Sequence, residues 1–265
     1  MDIAKLLERI DKFAPFDLVE DWDNSGLIVG TLEDEVRKIG VCLDATYDAV
    51  VAADLQECNV IVCHHPLIFK PIKSIIHEHK NGDIIMEAIR HDINIIALHT
   101  NWDLALGGVN DTLASLLGLQ NVKVLDSDSG FGAFGVLKKP MPTRDFLEHV
   151  KISWQLTHLD HYTYTENMEI SRVALCGGAG SAFWKFASDF GANVYITADM
   201  KYHELIDARN ALLPVCLVDH GEMERASLPA LAKKFSDLKI KTIILDDKKV
   251  SAPFDTKALH LPIRL

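Results

Sequence analysis

Four short stretches concentrate the metal-competent side chains of this chain. CHHPLIF (63–69) places His64 beside His65, and HTNWD (99–103) offers His99 and Asp103. ADMKYH (198–203) offers Asp199 and His203, and DHGEMER (219–225) offers His220 and Glu224. Imidazole nitrogens mixed with carboxylate oxygens suit zinc, iron(II), manganese or nickel, and are too rich in nitrogen for calcium. One catalytic zinc needs about three protein ligands and a water. Five candidates, His64, His65, Asp103, His220 and Glu224, fit two divalent ions better, because the two carboxylates can bridge ions about 3.5–4 Å apart. His220 and Glu224 are four residues apart at the start of a helical pattern, so both side chains reach one face.

Taken singly, each group has a plain structural reading. A His-His pair is usually structural, and a histidine and glutamate four apart are common as a solvated pair. What raises them is position, since each closes a stretch that reads as a strand. NVIVCHH (59–65) is apolar on both faces, as a strand covered by helices on both sides must be. Neighbouring side chains on a strand point apart, so two converging histidines require a strand end, and Pro66 redirects the chain there.

The elements around these groups alternate. RKIGVCLDA (37–45) reads as strand, and TYDAVVAADLQE (46–57) as helix started by Thr46 or Asp48. GDIIMEAIRHD (82–92) reads as helix, INIIALHTNWD (93–103) as strand, and VNDTLASLLGLQ (109–120) as helix opened by Asn110 or Asp111. Such alternation predicts βαβ units, a largely parallel sheet, and chemistry at the C-terminal strand ends. From about residue 126 the texture turns glycine- and proline-rich, as at a domain boundary, and a second α/β unit follows. Within it, CGGAGSAF (176–183) allows two readings: an anion cradle built from backbone N–H groups, or a tight turn needing positive φ at Gly177, Gly178 or Gly180. It is neither a P-loop nor GxGxxG.

Composition narrows the function classes. The formal charge is −11 in 265 residues, which gives no global electrostatic case for nucleic acid or an anionic membrane. No apolar run approaches a membrane span, and MDIAKLLERIDKFAP is a charged amphipathic helix rather than a signal peptide. A cytoplasmic location is expected. Five cysteines without a CxxC pair read as reduced core thiols, with Cys63 facing away from His64. His77, His79, His91, His149 and His260 read as surface or packing residues, and His158 and His161 as exposed.

WDNSGLIVG (22–30), CHHPLIF, HTNWD, CGGAGS (176–181), ITADMKYH (196–203) and DHGEMERASLPALA (219–232) fall in the order and approximate spacing of the Nif-three-like family, whose members are also called GTP cyclohydrolase type two homologues. The sequence resembles that family from about residue 1 to the last strand. The resemblance implies two α/β domains around a dinuclear metal centre and a ring-shaped homohexamer, a trimer of dimers with its centres facing inward. It matches His64, His65, Asp103, His220 and Glu224 to metal ligands, with Asp103 and Glu224 as bridges, and sets His99 beside the ions. Where the family more often has Gly-Glu, this chain has Ala198-Asp199, one methylene shorter. The chain is too short for the middle domain some members carry, so the compact form is expected.

If His220 and Glu224 share a site with His64 and Asp103, the chain must return to its first unit. Residues 1–125 plus 218–265 are therefore expected as one α/β domain, with 126–217 inserted as the second. The leading functional expectation is a metal-dependent hydrolase acting on a nucleotide or small phosphorylated metabolite, GTP cyclohydrolase-like by resemblance, with His99 or Asp199 moving protons. The alternatives are a dinuclear phosphoesterase and a metal-binding, metal-trafficking or interaction scaffold without turnover.

Overall fold

The computed structural model describes residues 1–162 and 168–245. His260 and the end of the expected first domain lie outside the described residues. Helix α1 (Ile3–Ile10) precedes β1 (Gly26–Val29) and β2 (Lys38–Asp44); α2 (Tyr47–Leu55) leads to β3 (Val60–His65), and α3 (Lys80–Arg90) to β4 (Asn94–Ala97). Next, α4 (Thr100–Leu104) and α5 (Val109–Leu116) carry the chain to β5 (Gln120–Val124) and β6 (Ala133–Pro142). There follow α6 (Thr143–Ser153), β7 (Leu159–Tyr162), β8 (Glu169–Leu175), α7 (Trp184–Asp189), β9 (Val194–Thr197), α8 (Tyr202–Asn210) and β10 (Val215–Val218). Finally come α9 (His220–Arg225), α10 (Leu228–Asp237) and β11 (Lys241–Ile244).

These strands make two sheets of a mixed α/β fold, in the orders β1-β4-β3-β2-β11 and β5-β6-β8-β9-β10-β7. The strands that carry the chemistry run parallel: β4, β3, β2 and β11 in the first sheet, and β8, β9 and β10 in the second. Antiparallel partners flank them. Residues 120–218 thus build the second sheet, and β11 returns the chain to the first beside β2.

Strand β3 shows why its sequence is apolar throughout. Val60 and Val62 enter one buried cluster while Ile61 and Cys63 enter another, so the two-residue alternation feeds a core on each face. The first cluster also takes Val173, Ile196 and Cys216 from the second sheet. A single apolar core therefore joins both sheets, and His64, next in the alternation after Val62, points into the space between them. All five cysteines are buried, and none of them forms a disulfide.

Several elements differ from the sequence expectation. The strand expected over 93–103 stops at Ala97, and Asp103 lies on α4. The cause is remote: Asp23 Oδ2 accepts from the Thr100 N–H (3.1 Å) and hydroxyl (2.7 Å), and Ser25 Oγ from the His99 N–H (3.1 Å). These contacts satisfy amides at a helix start that local residues leave open. Neither Asn110 nor Asp111 opens α5, whose cap is Gly108. Asn110 serves across the fold instead, accepting from the Gly177 N–H (2.9 Å) and donating to the Asp103 carbonyl (3.1 Å). The glycine- and proline-rich stretch after 126 hides the long strand β6. Gly135 belongs there because a Cβ would come within 2.9 Å of Leu119 Cβ. Thr46 caps α2 as expected, accepting from the Ala49 N–H.

Candidate metal centre

The C-terminal ends of parallel strands from both sheets face one another. Asp44 ends β2 and lies in register with His65 at the end of β3. His64 donates from Nδ1 to the carbonyl of Leu98, just past β4 (2.9 Å), and His65 from Nδ1 to Asp44 Oδ1 (2.9 Å). From the second sheet, His220 and Glu224 stand on α9 directly after β10, and Asp199 follows β9. The His220 Nδ1–H donates to Asp199 Oδ2 (2.6 Å). Each imidazole thus has its outer nitrogen fixed and its Nε2 turned to the centre, the arrangement that orients metal-ligating histidines.

Glu224 is the hub. Its Oε1 lies 3.2 Å from His220 Nε2 and 3.7 Å from His64 Nε2, and its Oε2 lies 2.8 Å from His65 Nε2. His64 Nε2 is also 3.7 Å from Asp103 Oδ1. Donor atoms gather into two triads that share Glu224, namely His65–His220–Glu224 and His64–Asp103–Glu224, and a third group joins His64, His65 and His99. Among the described residues, the buried His64 Nε2 and Asp103 Oδ1 lack a hydrogen-bond partner, and Glu224 Oε2 has only the His65 imidazole, at 2.8 Å. Orphaned polar atoms cost stability unless something satisfies them. Two in one cluster, beside a shared carboxylate and drawn from residues with the right donor chemistry, fit a bound cation.

The protonation states follow from position. Burial holds His64 below the usual histidine range, against the pull of Glu224. With Nδ1–H on a carbonyl, its Nε2 offers a lone pair. Burial also works against charge on His65 and His220, but Asp44 and Glu224 push His65 up to about 10, and Glu224 with Asp199 pushes His220 up to about 9. Glu224 is held well below the usual carboxylate range in spite of burial, by the imidazoles converging on it; of these, His65 and His220 carry the charge. Asp103 goes the other way, raised by burial and by the neighbouring Glu224 charge. Two buried carboxylates cannot both ionise cheaply without a cation.

The glycine loop acts as a close-packed turn. Gly178 has φ 64°, and a Cβ there would lie 2.4 Å from Glu224 Oε1. The Gly177 and Gly180 N–H groups are committed to Asn110 Oδ1 and Thr197 Oγ1. Any side chain at Gly178 would occupy the hub's own space.

His99 lies beside the centre, its ring centroid 5.1 Å from that of His64 and 5.7 Å from that of His65. Asp199 touches only the outer nitrogen of His220 among the cluster's donors, so its position is that of an orienting group. His203 lies on α8, exposed and outside the cluster. Sequence reasoning missed Asp44 and assigned no role to Asp23, whose Oδ1 accepts from His99 Nδ1 (2.8 Å). Asp44 had a signal, an acid ending the strand next to the histidines. Asp23 had none beyond its loop, because the partners that tie it to the centre, His99 and Thr100, lie more than 70 residues away.

Fold and donor set together define a mixed α/β protein with a candidate metal centre between two sheets. The chain belongs to the Duf34/NIF3 (NGG1p interacting factor 3) family, whose model matches residues 1–249. A Lactococcus lactis relative named GTP cyclohydrolase 1 type 2 homolog is 32% identical over 257 residues, 96% of this chain and 99% of the relative. Among solved structures, a Bacillus cereus protein related to NIF3 matches with TM-score 0.83 and 25% identity, covering 92% of this chain and 96% of its own. Reduced HcgD from Methanocaldococcus jannaschii matches with TM-score 0.80 and 29% identity, covering 93% and 98%. No helix among the described residues is long and apolar enough to cross a membrane.

Proposed function

We propose that this protein is a metal-dependent hydrolase holding two divalent ions, acting on a nucleotide or a related small metabolite. The observation that carries the reading is the pair of donor triads sharing Glu224, with His64 Nε2 and Asp103 Oδ1 left unpartnered between them. His65 and His220 would hold one ion, His64 and Asp103 the other, and Glu224 both. Bound there, the ions would supply Lewis acidity and a water acidic enough to ionise near neutral pH. The chain's own residues do the rest. Leu98, Asp44 and Asp199 fix the three imidazoles, and Asn110 ties the backbone of Asp103 to the glycine loop. His99, held at Nδ1 by Asp23, would accept or return a proton at Nε2. The name of the Lactococcus lactis relative supports guanine-ring hydrolysis as the first reaction to try.

Two further expectations belong to this proposal. Residues 1–125 plus 218–265 act as one unit with 126–217 inserted, and the chains assemble as an inward-facing homohexamer in the cytoplasm, which native mass spectrometry would read as six times 29.5 kDa. The test of the activity is turnover of metal-replete protein on GTP, followed for formate and inorganic phosphate, with Asp103→Asn alongside. Formate lost in the variant supports the cyclohydrolase form, and phosphate alone moves the assignment to a phosphoesterase. Silence in both channels with two ions bound would replace hydrolysis by metal handling.

A further inference from the structure

The centre opens into a cavity of about 750 Å³. His65, Asp103, His220 and Glu224 supply its polar side, and two aromatic pairs supply much of the rest. Trp22 and Phe69, with ring centroids 5.7 Å apart, both meet the His99 ring edge-on at about 6 Å. Phe131 and Phe183, stacked at 5.8 Å, come from loops of the second sheet. One aromatic wall therefore belongs to each half of the molecule.

Trp22 is 57% exposed, whereas the other three tryptophans are buried. An indole left in water forgoes the burial that usually holds such a side chain. Its loop is nonetheless pinned. Asp23 anchors it to His99 and Thr100, and Asn24 Nδ2 donates to the Ile68 carbonyl (2.6 Å), joining it to the segment that carries Phe69. Fixed, exposed aromatic surface beside a polar cluster is what a flat ligand needs.

The second observation concerns charge. Among the described residues no Lys or Arg lines the cavity; the charged lining there beyond the histidines is Glu20, Asp103 and Glu224. Sites that grip phosphate groups by side chains use Arg or Lys. A polyphosphate here would meet carboxylates and find attraction only at the ions.

From the aromatic walls and from a described lining without Lys or Arg, we infer that the site recognises a planar heteroaromatic ring of the nucleobase type, stacked on Trp22 and Phe183 with a polar ring edge toward the centre, and does not hold its ligand by a phosphate chain. The inference rests on the metal reading above and narrows its substrate to the base or nucleoside part.

The test uses manganese-loaded full-length protein, with metal content measured, and compares guanosine, GTP and inorganic triphosphate by equilibrium dialysis and by quenching of Trp22 fluorescence. Guanosine should bind within about tenfold of GTP, inorganic triphosphate more weakly than either, and Trp22→Ala or Phe183→Ala should each weaken guanosine about tenfold while metal content stays unchanged. Two ions bound, with inorganic triphosphate as tight as GTP or with guanosine binding unaltered in both variants, would overturn this inference and leave the metal reading standing. Fewer than one ion per chain would overturn the metal reading. Quenching by guanosine in that metal-free protein, abolished in Phe183→Ala, would still support the aromatic walls, and no quenching would end both.

Discussion

At the edge of the first sheet, His64 is 1% exposed and its Nδ1–H is committed to a backbone carbonyl. At the edge of the second, the His220 side chain is 35% exposed and donates to the carboxylate of Asp199, itself 65% exposed. The carbonyl partner is set by the pairing of β3 with β4 and cannot leave without breaking the sheet. A carboxylate partner can be protonated, screened or moved. One edge therefore presents a neutral imidazole ready to ligate, and the other presents a charged one that must first lose a proton. His65 belongs to the first sheet by position and to the second group by chemistry, since its partner is Asp44. The two triads should accordingly hold their ions with different affinities and different responses to pH.

The strongest way to erase this contrast is to remove what both triads share. Glu224→Gln should lower metal content from about two ions per chain to below one and abolish turnover, read by elemental analysis and a formate or phosphate assay. Retention of two ions would break the hub assignment. Next in size, His64→Ala and His65→Ala separate the triads. Each should lose about one ion. Both should also destabilise the fold in chemical denaturation: His64→Ala by about 2 kcal/mol or more because a cavity opens beside Glu224, and His65→Ala because the Glu224 charge loses its paired imidazole.

Smaller effects come from the outer partners. Asp199→Asn and Asp44→Asn should weaken one ion about 10–100-fold and leave the other near wild type, measured by chelator competition. Equal weakening of both ions would show that the triads are not independent.

Titration gives the gentlest contrast. His65 and His220 are raised to about 10 and about 9. In the metal-free protein the stability they contribute is complete below the ordinary histidine value, about pH 6.5, and is lost as pH rises through 9 to 10. The melting temperature of metal-free protein should therefore fall across that window, while the loaded protein, whose ions have displaced those protons, should not follow it. Uptake of metal at pH 7 should release protons, seen with a dye in weak buffer.

Much of the donor cluster could be read from the sequence because its residues sit where periodic patterns break. The apolar alternation of β3 ends on His64 and His65, and the spacing of His220 and Glu224 needs only one helical turn. Position at a strand end is a local fact, and parallel order follows from alternation of strand and helix. What could not be read depends on partners far along the chain. The short helix bearing Asp103 exists because Asp23 and Ser25 reach its start, so a run that looked like continuing strand folds otherwise. Asn110 looked like a cap and instead spans two sheets. The strand at 133–142 was masked by prolines near its end and by Gly135, which is demanded by the approach of β5 rather than by any local turn.

The centre's residues also set an order of events in the life of the chain. Its earliest donor is residue 64 and its hub is residue 224, separated by the whole second sheet. While the ribosome is still making β8 to β10, His64 and His65 have neither Glu224 nor His220 opposite them, and an ion meeting them would find two nitrogens and water. Full coordination appears only after both sheets have closed on their common core. On the metal reading proposed above, tight uptake would mark the last stage of folding, and Asp103 and Glu224 would wait until then for the charge that lets both ionise.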